Sequence, residues 1–164
     1  EEIGEDLSKI TEMKVIGLRF FTVYGKYGRP DMFIFKFLDS LINKKKFHLF
    51  NNGNHMRDYT HIEDVVEMMD LLIRKKTNKR FEIFNICSNK PIDINKLSLF
   101  IAKFFNRKPK FIFRARNQIE VIKTHGDNKK ILKFLNYKIK KNIYQELPKI
   151  INWYTQNKIW KLKI

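Results

Sequence analysis

Residues 19–32 read RFFTVYGKYGRPDM. They complete the longer segment KVIGLRFFTVYG (14–25), which is rich in β-branched and aromatic residues and carries few charges. This composition is typical of a strand covered on both faces, as found in parallel sheets flanked by helices. The strand pattern stops at Gly25, and a loop with Gly28, Arg29 and Pro30 follows. We therefore predict an α/β fold with a loop of functional interest directly after a buried strand.

The rest of the chain alternates between helix and strand patterns, without a repeat or a low-complexity linker. The helical patterns are EEIGEDLSKITE (1–12), DMFIFKFLDSLINKKK (31–46), THIEDVVEMMDLLIRKK (60–76), PIDINKLSLFIAKFF (91–105), NKKILKFL (128–135) and part of NIYQELPKIINWYTQNK (142–158). The strand patterns are FHLF (47–50), EIFNIC (82–87) and KFIFRA (110–115). We expect one compact unit over residues 1–164.

The clearest helix begins near Thr60, because Thr60 and Glu63 have the spacing of a capping box. Helical spacing predicts that its buried stripe consists of Ile62, Val65, Val66, Met69, Leu72 and Ile73. Asp93 is expected to cap the helix at 94–104. Asn136 stands where a left-handed residue would end the preceding helix.

Charge and cysteine content narrow the classes of function. The formal charge is +17, which favours a nucleic-acid or anionic-membrane partner, but the lysines are spread along the whole chain and indicate a solvated surface. Cys87 is the only cysteine, so neither a disulfide framework nor a thiolate metal cluster is predicted. A reducing cytoplasm fits this composition. No apolar run approaches the roughly 20 residues that span a bilayer, and the acidic start does not resemble a signal peptide.

Motifs for nucleophilic or metal catalysis are missing from the sequence. The four histidines, His48, His55, His61 and His125, never pair at metal-ligand spacing. Gly-x-Ser-x-Gly, His-Glu-x-x-His and Gly-x-Gly-x-x-Gly do not occur. We therefore predict no catalytic side chain and no metal site in this chain.

Two arginines fit anion binding. Arg57 lies just before a capped helix in NNGNHMRDYTHIEDV (51–65), and an arginine near a helix N-terminus suits a phosphate. Arg57 and Asp58 could instead only tie the turn to the body of the protein. Arg29, on a rigid turn before Pro30, suits a bidentate carboxylate or phosphate contact, although it could simply pair with Asp31.

Three segments together resemble a known family. They resemble the carboxy-terminal half of NAD-dependent nucleotide-sugar epimerases of the extended short-chain dehydrogenase/reductase family, and the segments are GLRFFTVYGKYGRPDMFIFKF (17–37), NNGNHMRDYTHIEDV and NWY (152–154). Within that family, the resemblance is strongest to the UDP-glucuronate 4-epimerases. The resemblance covers essentially the entire chain. It departs at RNQIEVIKTHGDNKK (116–130), where Glu120 takes the place of the family's Asp and the usual Pro-Gly is missing.

The resemblance implies late strands and helices of a Rossmann-type parallel sheet plus a small α/β substrate-binding domain. The opening helix would continue the helix that carries the catalytic Tyr-x-x-x-Lys pair. That pair and the glycine-rich NAD loop are not in this sequence. We therefore expect a carboxy-terminal part without the amino-terminal NAD-binding part, which alone is inactive and does not retain NAD.

The resemblance assigns the binding roles known in the family to the matching positions of this sequence. Phe20 and Val23 would lie beside the nicotinamide of NAD, and Thr22 with Arg29 would hold the carboxylate of a glucuronosyl group. The nucleotide contacts would come from Asp31, Met32, His48, Leu49 and Phe50 (the last three beside uracil), Arg57 (diphosphate) and Glu120 (ribose). A second phosphate-binding arginine of the family falls at Asn117, so Arg116 or Arg114 would replace it.

The implied reaction is the NAD-dependent interconversion of UDP-glucuronate and UDP-galacturonate for surface polysaccharide synthesis, in an enzyme that is commonly a homodimer. A dehydratase or decarboxylase of the same fold is the first alternative, because fold alone does not determine the reaction. A basic nucleic-acid-binding module is the second. Phe111 and Phe113 alternate with Lys110, Ile112 and Arg114 as in an ordinary strand, so we expect no aromatic-basic binding face.

Overall fold

The structure is a computed structural model that describes residues 1–116, 118 and 120–157. Its helices are α1 (Glu2–Ile10), α2 (Phe33–Ile42), α3 (Ile62–Arg74), α4 (Ile94–Phe104), α5 (Lys129–Leu135) and α6 (Ile143–Gln156). Its strands are β1 (Val15–Phe20), β2 (Thr22–Tyr24), β3 (Phe47–Phe50), β4 (Met56–His61), β5 (Phe81–Ile86), β6 (Pro91–Asp93) and β7 (Phe111–Arg114). Asn51–Gly53 forms one 3-10 turn.

The described strands form three small sheets in which parallel pairing dominates. β1 pairs with β5, β2 with β4, and β3 with β7, all in parallel. β6 adds to β4 in the antiparallel direction. Since helices connect the parallel partners, the fold is the predicted α/β class with Rossmann-type parallel strands.

We expected the opening sequence to form one strand, but it forms two. β1 ends at Phe20 and β2 begins at Thr22, and the two strands belong to different sheets. At the break, the amide of Phe21 donates to the carbonyl of Ile86 at 3.2 Å, which ends the pairing with β5. The Phe21 ring also lies against Gly126, where an added Cβ would approach the ring to 2.6 Å. These contacts explain why the chain changes sheets at Phe21.

Within the described residues, β1 is not covered on both faces. All its residues are half-buried or exposed, and Phe20 retains 48% of its accessible surface. β5 is its only partner strand among the described residues, and α1 lies over it. Apolar composition therefore identified the strand but not the extent of its burial.

Two hydrophobic cores support the molecule. The first lies between α2, α4 and α6 and includes Phe37, Leu97 and Ile151, each fully buried. Leu49 of β3 and Tyr59 of β4 also belong to it, so these strands are anchored on one side. The second core joins α3, α5 and β5, and its buried members are Val65, Met68, Leu72, Phe84, Ile86, Ile131, Leu135 and Tyr137.

The loop between β2 and α2 lies close to two helices. A Cβ at Gly25 would lie 2.4 Å from the Ile62 side chain, and one at Gly28 would lie 2.6 Å from the Phe35 ring. No side chain fits at those distances, so both glycines are needed for the close approach. The two glycines that interrupt the strand pattern thus hold this loop against α3 and α2.

The start of α3 differs from the sequence prediction. Thr60 belongs to β4, and the cap is His61, whose Nδ1 accepts a hydrogen bond from the Glu63 amide at 3.2 Å. The prediction of a buried stripe on α3 is correct for Val65 and Leu72, which are both buried. Met68, which we did not place in it, is buried, while Ile62, Val66, Met69 and Ile73 are exposed.

Two local predictions are confirmed. The Asp93 carboxylate accepts from the Lys96 amide at 2.8 Å and caps α4. Asn136 adopts a left-handed conformation with φ 53° and ψ 45° at the end of α5. No helix in the described part of the chain is long and apolar enough to cross a membrane.

A buried carboxylate connects three segments of the chain. Asp58 is fully buried, and its Oδ1 accepts from the Ser88 amide at 2.9 Å and the Ser88 hydroxyl at 2.6 Å. Its Oδ2 accepts from the amides of Asn89 at 3.1 Å and Gly126 at 3.2 Å. Since charge-assisted hydrogen bonds are strong and no water competes here, Asp58 joins β4 to the loops after β5 and before α5.

We expect Asp58→Asn to destabilise the protein by about 3 kcal/mol, because the amide nitrogen of asparagine would face amide donors instead of accepting from them. Urea unfolding followed by far-UV circular dichroism measures the change. The exposed Asp70 pairs with Arg74 one helical turn away, so Asp70→Ala should stay within about 0.5 kcal/mol of wild type. Equal losses for the two variants would refute the role of Asp58.

Candidate functional site

A cavity of about 590 Å³ lies between β3, β4 and the start of α2. Most of the residues singled out by the sequence line it, namely Thr22, Asp31, Met32, His48–Phe50, Arg57 and Glu120. Arg29, Arg116, Phe20 and Val23 are not among the lining residues. The fold thus brings together side chains from five separate parts of the chain.

Arg57 is held in place by three oxygen atoms. Its Nη1 donates to the carbonyls of Met56 at 2.9 Å and Ile122 at 3.1 Å. Its Nη2 lies 3.4 Å from Oε1 of Glu120, and only 18% of the side chain is exposed. A guanidinium anchored on one edge keeps its remaining donors for an anion in the cavity.

Glu120 and His55 face each other beside Arg57. Oε2 of Glu120 lies 3.9 Å from Nε2 of His55, and the His55 side chain is 6% exposed. Burial is the main cause that lowers the pKa of His55; Glu120 acts in the opposite direction, and Arg57 and Arg116 lower it further. The ring is therefore neutral at pH 7.

His48, Leu49 and Phe50 form one wall. Leu49 is buried in the first core, while Phe50 is 42% exposed. Arg114 on the paired strand β7 donates from Nε to Nδ1 of His48 at 3.1 Å, which orients the imidazole. Arg114 thus supports this wall, whereas Arg116 is exposed outside the cavity. Asn117, the position of the family's second arginine, lies outside the described residues.

Arg29 pairs with its neighbour in the loop. Its Nε and Nη2 contact Oδ1 and Oδ2 of Asp31 at 3.0 and 2.5 Å, and its side chain is 76% exposed. The hydrogen bond from Arg29 is the main cause that lowers the pKa of Asp31. In this structure, the pairing with Asp31 that we considered as an alternative is the one present.

The two residues expected near NAD, Phe20 and Val23, do not line the cavity. Val23 packs against the second core, and Phe20 is 48% exposed at the carboxyl end of β1. Ligands of open α/β sheets bind at the carboxyl ends of the parallel strands. An exposed aromatic ring at that end can lie against a flat ring of a dinucleotide, so the residues present are compatible with the nicotinamide end of NAD.

A second cavity of about 350 Å³ is strongly basic. Its lining includes Lys44, Lys45, Arg107, Lys108 and Lys110. Arg107, however, donates from Nη1 to the carbonyls of Leu41 at 2.5 Å and Ile42 at 3.2 Å. It therefore satisfies the C-terminal end of α2, where a cation is favourable.

Other reactive groups in the described part of the chain are poorly placed for catalysis. Burial, with a smaller effect of the Asp58 charge, raises the pKa of Cys87 to about 12, so its thiol is protonated at pH 7. No group of three His, Cys, Asp or Glu residues within 1–116, 118 and 120–157 is arranged to hold a metal ion. The chemistry available in the cavity is binding by hydrogen bonds and charge.

Sequence reasoning missed His55, which it treated as one of four unassigned histidines. A usable signal was present: His55, Arg57 and Tyr59 alternate along and just before β4, and all three line the cavity. Side chains two apart in a strand share a face. The spacing relative to Arg57 could therefore have placed His55 in the same site.

The chain belongs to the NAD-dependent epimerase/dehydratase family, whose sequence model matches residues 1–87. Among curated relatives, the uncharacterized protein MJ1055 of Methanocaldococcus jannaschii is 41% identical over 93% of this chain and 46% of its own length. The UDP-glucuronate 4-epimerase of Thermodesulfobacterium geofontis is 31% identical over 94% of this chain and 49% of its own length. The chain thus spans about half the length of these relatives.

Solved structures show the same fold. The UDP-glucuronic acid 4-epimerase of Bacillus cereus, in complex with UDP-glucuronic acid and NAD, superposes with a TM-score of 0.88 at 23% identity. The match covers 95% of this chain and 50% of that protein. The expected Rossmann-type α/β fold is therefore confirmed.

The two buried histidines make stability depend on pH. Burial is the main cause that lowers the pKa of His61 as well as that of His55; Lys141 lowers that of His61 further, and the carboxylates of Glu63, Glu146 and Asp64 act in the opposite direction. In the unfolded chain both rings titrate near pH 6.5. Below that pH the unfolded state binds protons that the folded state does not, so the free energy of unfolding should fall as pH falls.

We expect a decrease in the free energy of unfolding between pH 7 and 5.5, and a smaller decrease in His61→Asn. Asparagine retains an oxygen that can accept from the Glu63 amide, but it does not titrate. Urea unfolding of both proteins at several pH values tests this. Identical pH dependence in wild type and His61→Asn would rule out His61 as a source of the effect.

Proposed function

We propose that this chain binds the nucleotide sugar in an NAD-dependent UDP-glucuronate 4-epimerase, which interconverts UDP-glucuronate and UDP-galacturonate. The observation that carries the proposal is the cavity in which Arg57, Glu120, Thr22 and the His48–Phe50 wall come together. The relative from Thermodesulfobacterium geofontis, which bears this name, supports the choice of substrate. The assignment of each residue below is part of the proposal.

Arg57 would bind the diphosphate. Met56 and Ile122 engage one edge of the guanidinium, and the rest of the guanidinium lies in the cavity. Because one edge is anchored, the side chain does not turn towards another acidic group. Lys36, Lys45 and Lys46 also line the cavity and make its mouth favourable for a dianion. An anchored arginine loses little side-chain entropy when the phosphate binds.

The uracil would lie against the His48–Phe50 wall, and the ribose would lie beside Glu120. Phe50 and Met32 offer apolar surface on which a flat base can rest, while Arg114 keeps the His48 ring oriented. The carboxylate of Glu120, positioned by Arg57, can accept from ribose hydroxyls. This order of base, ribose and diphosphate follows the order of groups in UDP.

The carboxylate of the glucuronosyl group would be bound by Arg29 and Thr22. For this, Arg29 must exchange its contact with Asp31 for the substrate carboxylate. The exchange costs little, because the existing pair is exposed and the substrate offers the same bidentate geometry. Thr22 already lines the cavity and would donate its hydroxyl.

NAD, when bound, supplies the hydride chemistry at C4 of the sugar. The residues of this chain would position the substrate and exclude water, with Phe20 and Val23 on the nicotinamide side. Because the glycine-rich loop is not in the sequence, we do not expect these 164 residues alone to retain NAD.

A dehydratase or decarboxylase acting on a related nucleotide sugar remains the alternative. The family itself includes dehydratases, and fold does not separate the two reactions. Incubating the full-length enzyme with NAD and, in separate reactions, UDP-glucuronate and UDP-glucose, followed by separation of the products, distinguishes them. UDP-galacturonate supports the epimerase, whereas loss of water or of carbon dioxide supports the alternative.

Arg29→Ala should reduce kcat/KM for UDP-glucuronate roughly ten- to hundredfold in the full-length enzyme and have much less effect with UDP-glucose. Only the former substrate has a carboxylate for the guanidinium. Arg57→Ala should reduce both activities alike, because the diphosphate is common to both substrates. Steady-state kinetics with the two substrates measure these changes.

Arg74→Ala is a matched control for Arg29→Ala. Arg74 is 75% exposed and pairs with Asp70, much as Arg29 is exposed and pairs with Asp31, but it lies far along α3 and does not line the cavity. We expect it to leave both activities unchanged. If Arg29→Ala behaves like this control, or lowers both activities equally, Arg29 is only a partner of Asp31.

A further inference from the structure

The second cavity of about 350 Å³, which we call the basic cavity, carries more positive charge than its surroundings compensate. Of the described residues that line it, none is acidic. Five are cationic, namely Lys44, Lys45, Arg107, Lys108 and Lys110. Like charges around one concave surface repel each other and focus a positive potential there, which an anion would neutralise. The basic cavity therefore favours an anionic ligand.

Neighbouring groups compensate only two of the five cations. Nη1 of Arg107 donates to the carbonyls at the end of α2, and Nζ of Lys45 lies 3.5 Å from Oδ2 of Asp39. The other three cationic side chains form no ion pair with a carboxylate in the described part of the chain. The end of α4 also lies beside the cavity, but a helix end carries only about half a negative charge. Most of the charge of the three lysines thus stays unbalanced.

The backbone around the basic cavity is fixed by two turns of the same kind. A left-handed residue follows each helix, Lys44 with φ 56° after α2 and Asn106 with φ 48° after α4. In each turn, the next amide donates to the carbonyl five residues earlier, at 2.8 Å and 3.2 Å, as in a Schellman motif. The Phe47 amide then donates to the Lys110 carbonyl at 2.8 Å and joins the starts of β3 and β7. Only the lysine side chains therefore need to become ordered when a ligand binds.

The chemistry of the lining selects a phosphate group. The ammonium group of lysine is a compact charge with three donors, and lysines bind phosphate oxygens in this way. None of the described lining residues is aromatic, so the cavity offers no ring on which a nucleobase could stack. Three unbalanced ammonium groups attract an anion with several charges more strongly than a single carboxylate.

We propose that the basic cavity binds a free diphosphate, or a phosphate anion of similar charge, at a site separate from the large cavity. Among the described residues, the two cavities share only Ser40 and Lys45. Arg57, to which we assign the diphosphate of the nucleotide sugar, lines the large cavity and not the basic one. The inference therefore goes beyond the proposed function and does not depend on it.

Titration calorimetry with inorganic pyrophosphate at low ionic strength tests the proposal in the full-length protein. Arg57→Ala is the starting variant, because it weakens anion binding in the large cavity. We expect it to bind pyrophosphate. Adding Lys108→Gln and Lys110→Gln should weaken this binding at least about tenfold, since two of the three unbalanced ammonium groups are removed. Both lysines are exposed, so circular dichroism should show an unchanged fold.

Lys133→Gln combined with Lys138→Gln is the matched control. It removes the same charge from two exposed lysines that line neither cavity, and it should change pyrophosphate binding by less than about twofold. Equal losses in the two double variants, or no pyrophosphate binding by folded Arg57→Ala, would overturn the inference. Duplex DNA binding that depends on Lys108 and Lys110, without any pyrophosphate binding, would overturn it as well and indicate a nucleic-acid contact.

Binding of UDP separates this inference from the proposed function. The variant with Lys108→Gln and Lys110→Gln in an otherwise wild-type protein should bind UDP normally, because neither lysine lines the large cavity. If wild type binds no UDP but the double substitution still abolishes pyrophosphate binding, the proposed nucleotide site is wrong and the basic cavity stands. If the double variant loses UDP and pyrophosphate to the same extent, the lysines serve the large cavity and the inference falls.

Discussion

The carboxylate of Asp58 accepts four hydrogen bonds in a fully buried position and thereby joins β4 to two distant loops. Isolating a charge from water is costly, and this cost is offset only if every donor stays in place. The contact with the Gly126 amide also brings the segment before α5 against Cys87 and Phe21, where no side chain at 126 would fit. The change of sheet at Phe21 and the start of α5 both depend on this arrangement.

The hydrogen bonds of Asp58 also help to fix the cavity, because Arg57 directly precedes Asp58 in β4. With the strand fixed by Asp58, the guanidinium reaches the Ile122 carbonyl and Glu120, and Glu120 in turn faces His55. Arg57 and Asp58 are neighbours in the strand, whereas the contacts from Arg57 to Glu120 and from Glu120 to His55 join residues far apart in sequence. Side chains held in this way are already ordered, and an ordered cavity loses less conformational entropy if a ligand binds.

The Arg29–Asp31 pair behaves differently from this rigid chain of contacts. Both side chains are largely exposed and belong to one short loop, so water and salt compete with their interaction. Arg57, by contrast, is mostly buried and is held by backbone carbonyls as well as by Glu120. The two arginines that the sequence marked as candidate anion binders therefore differ: Arg57 is held inside the cavity, whereas Arg29 is exposed and does not line it.

The sequence by itself determined the features that depend on nearby residues. Periodicity identified α2 and β3, Asp93 caps its helix, and Asn136 ends α5 in a left-handed conformation, since each interaction spans only a few residues. The segments that resemble the family also identified most of the cavity residues.

The tertiary structure decided the features that depend on distant partners. It moved the cap of α3 from Thr60 to His61 because β4 continues through Thr60, and it buried Met68 rather than Val66 because the second core lies on that face. It also split one strand at Phe21 and set His55 opposite Glu120, because hydrogen bonding and burial between remote segments cannot be read from local patterns.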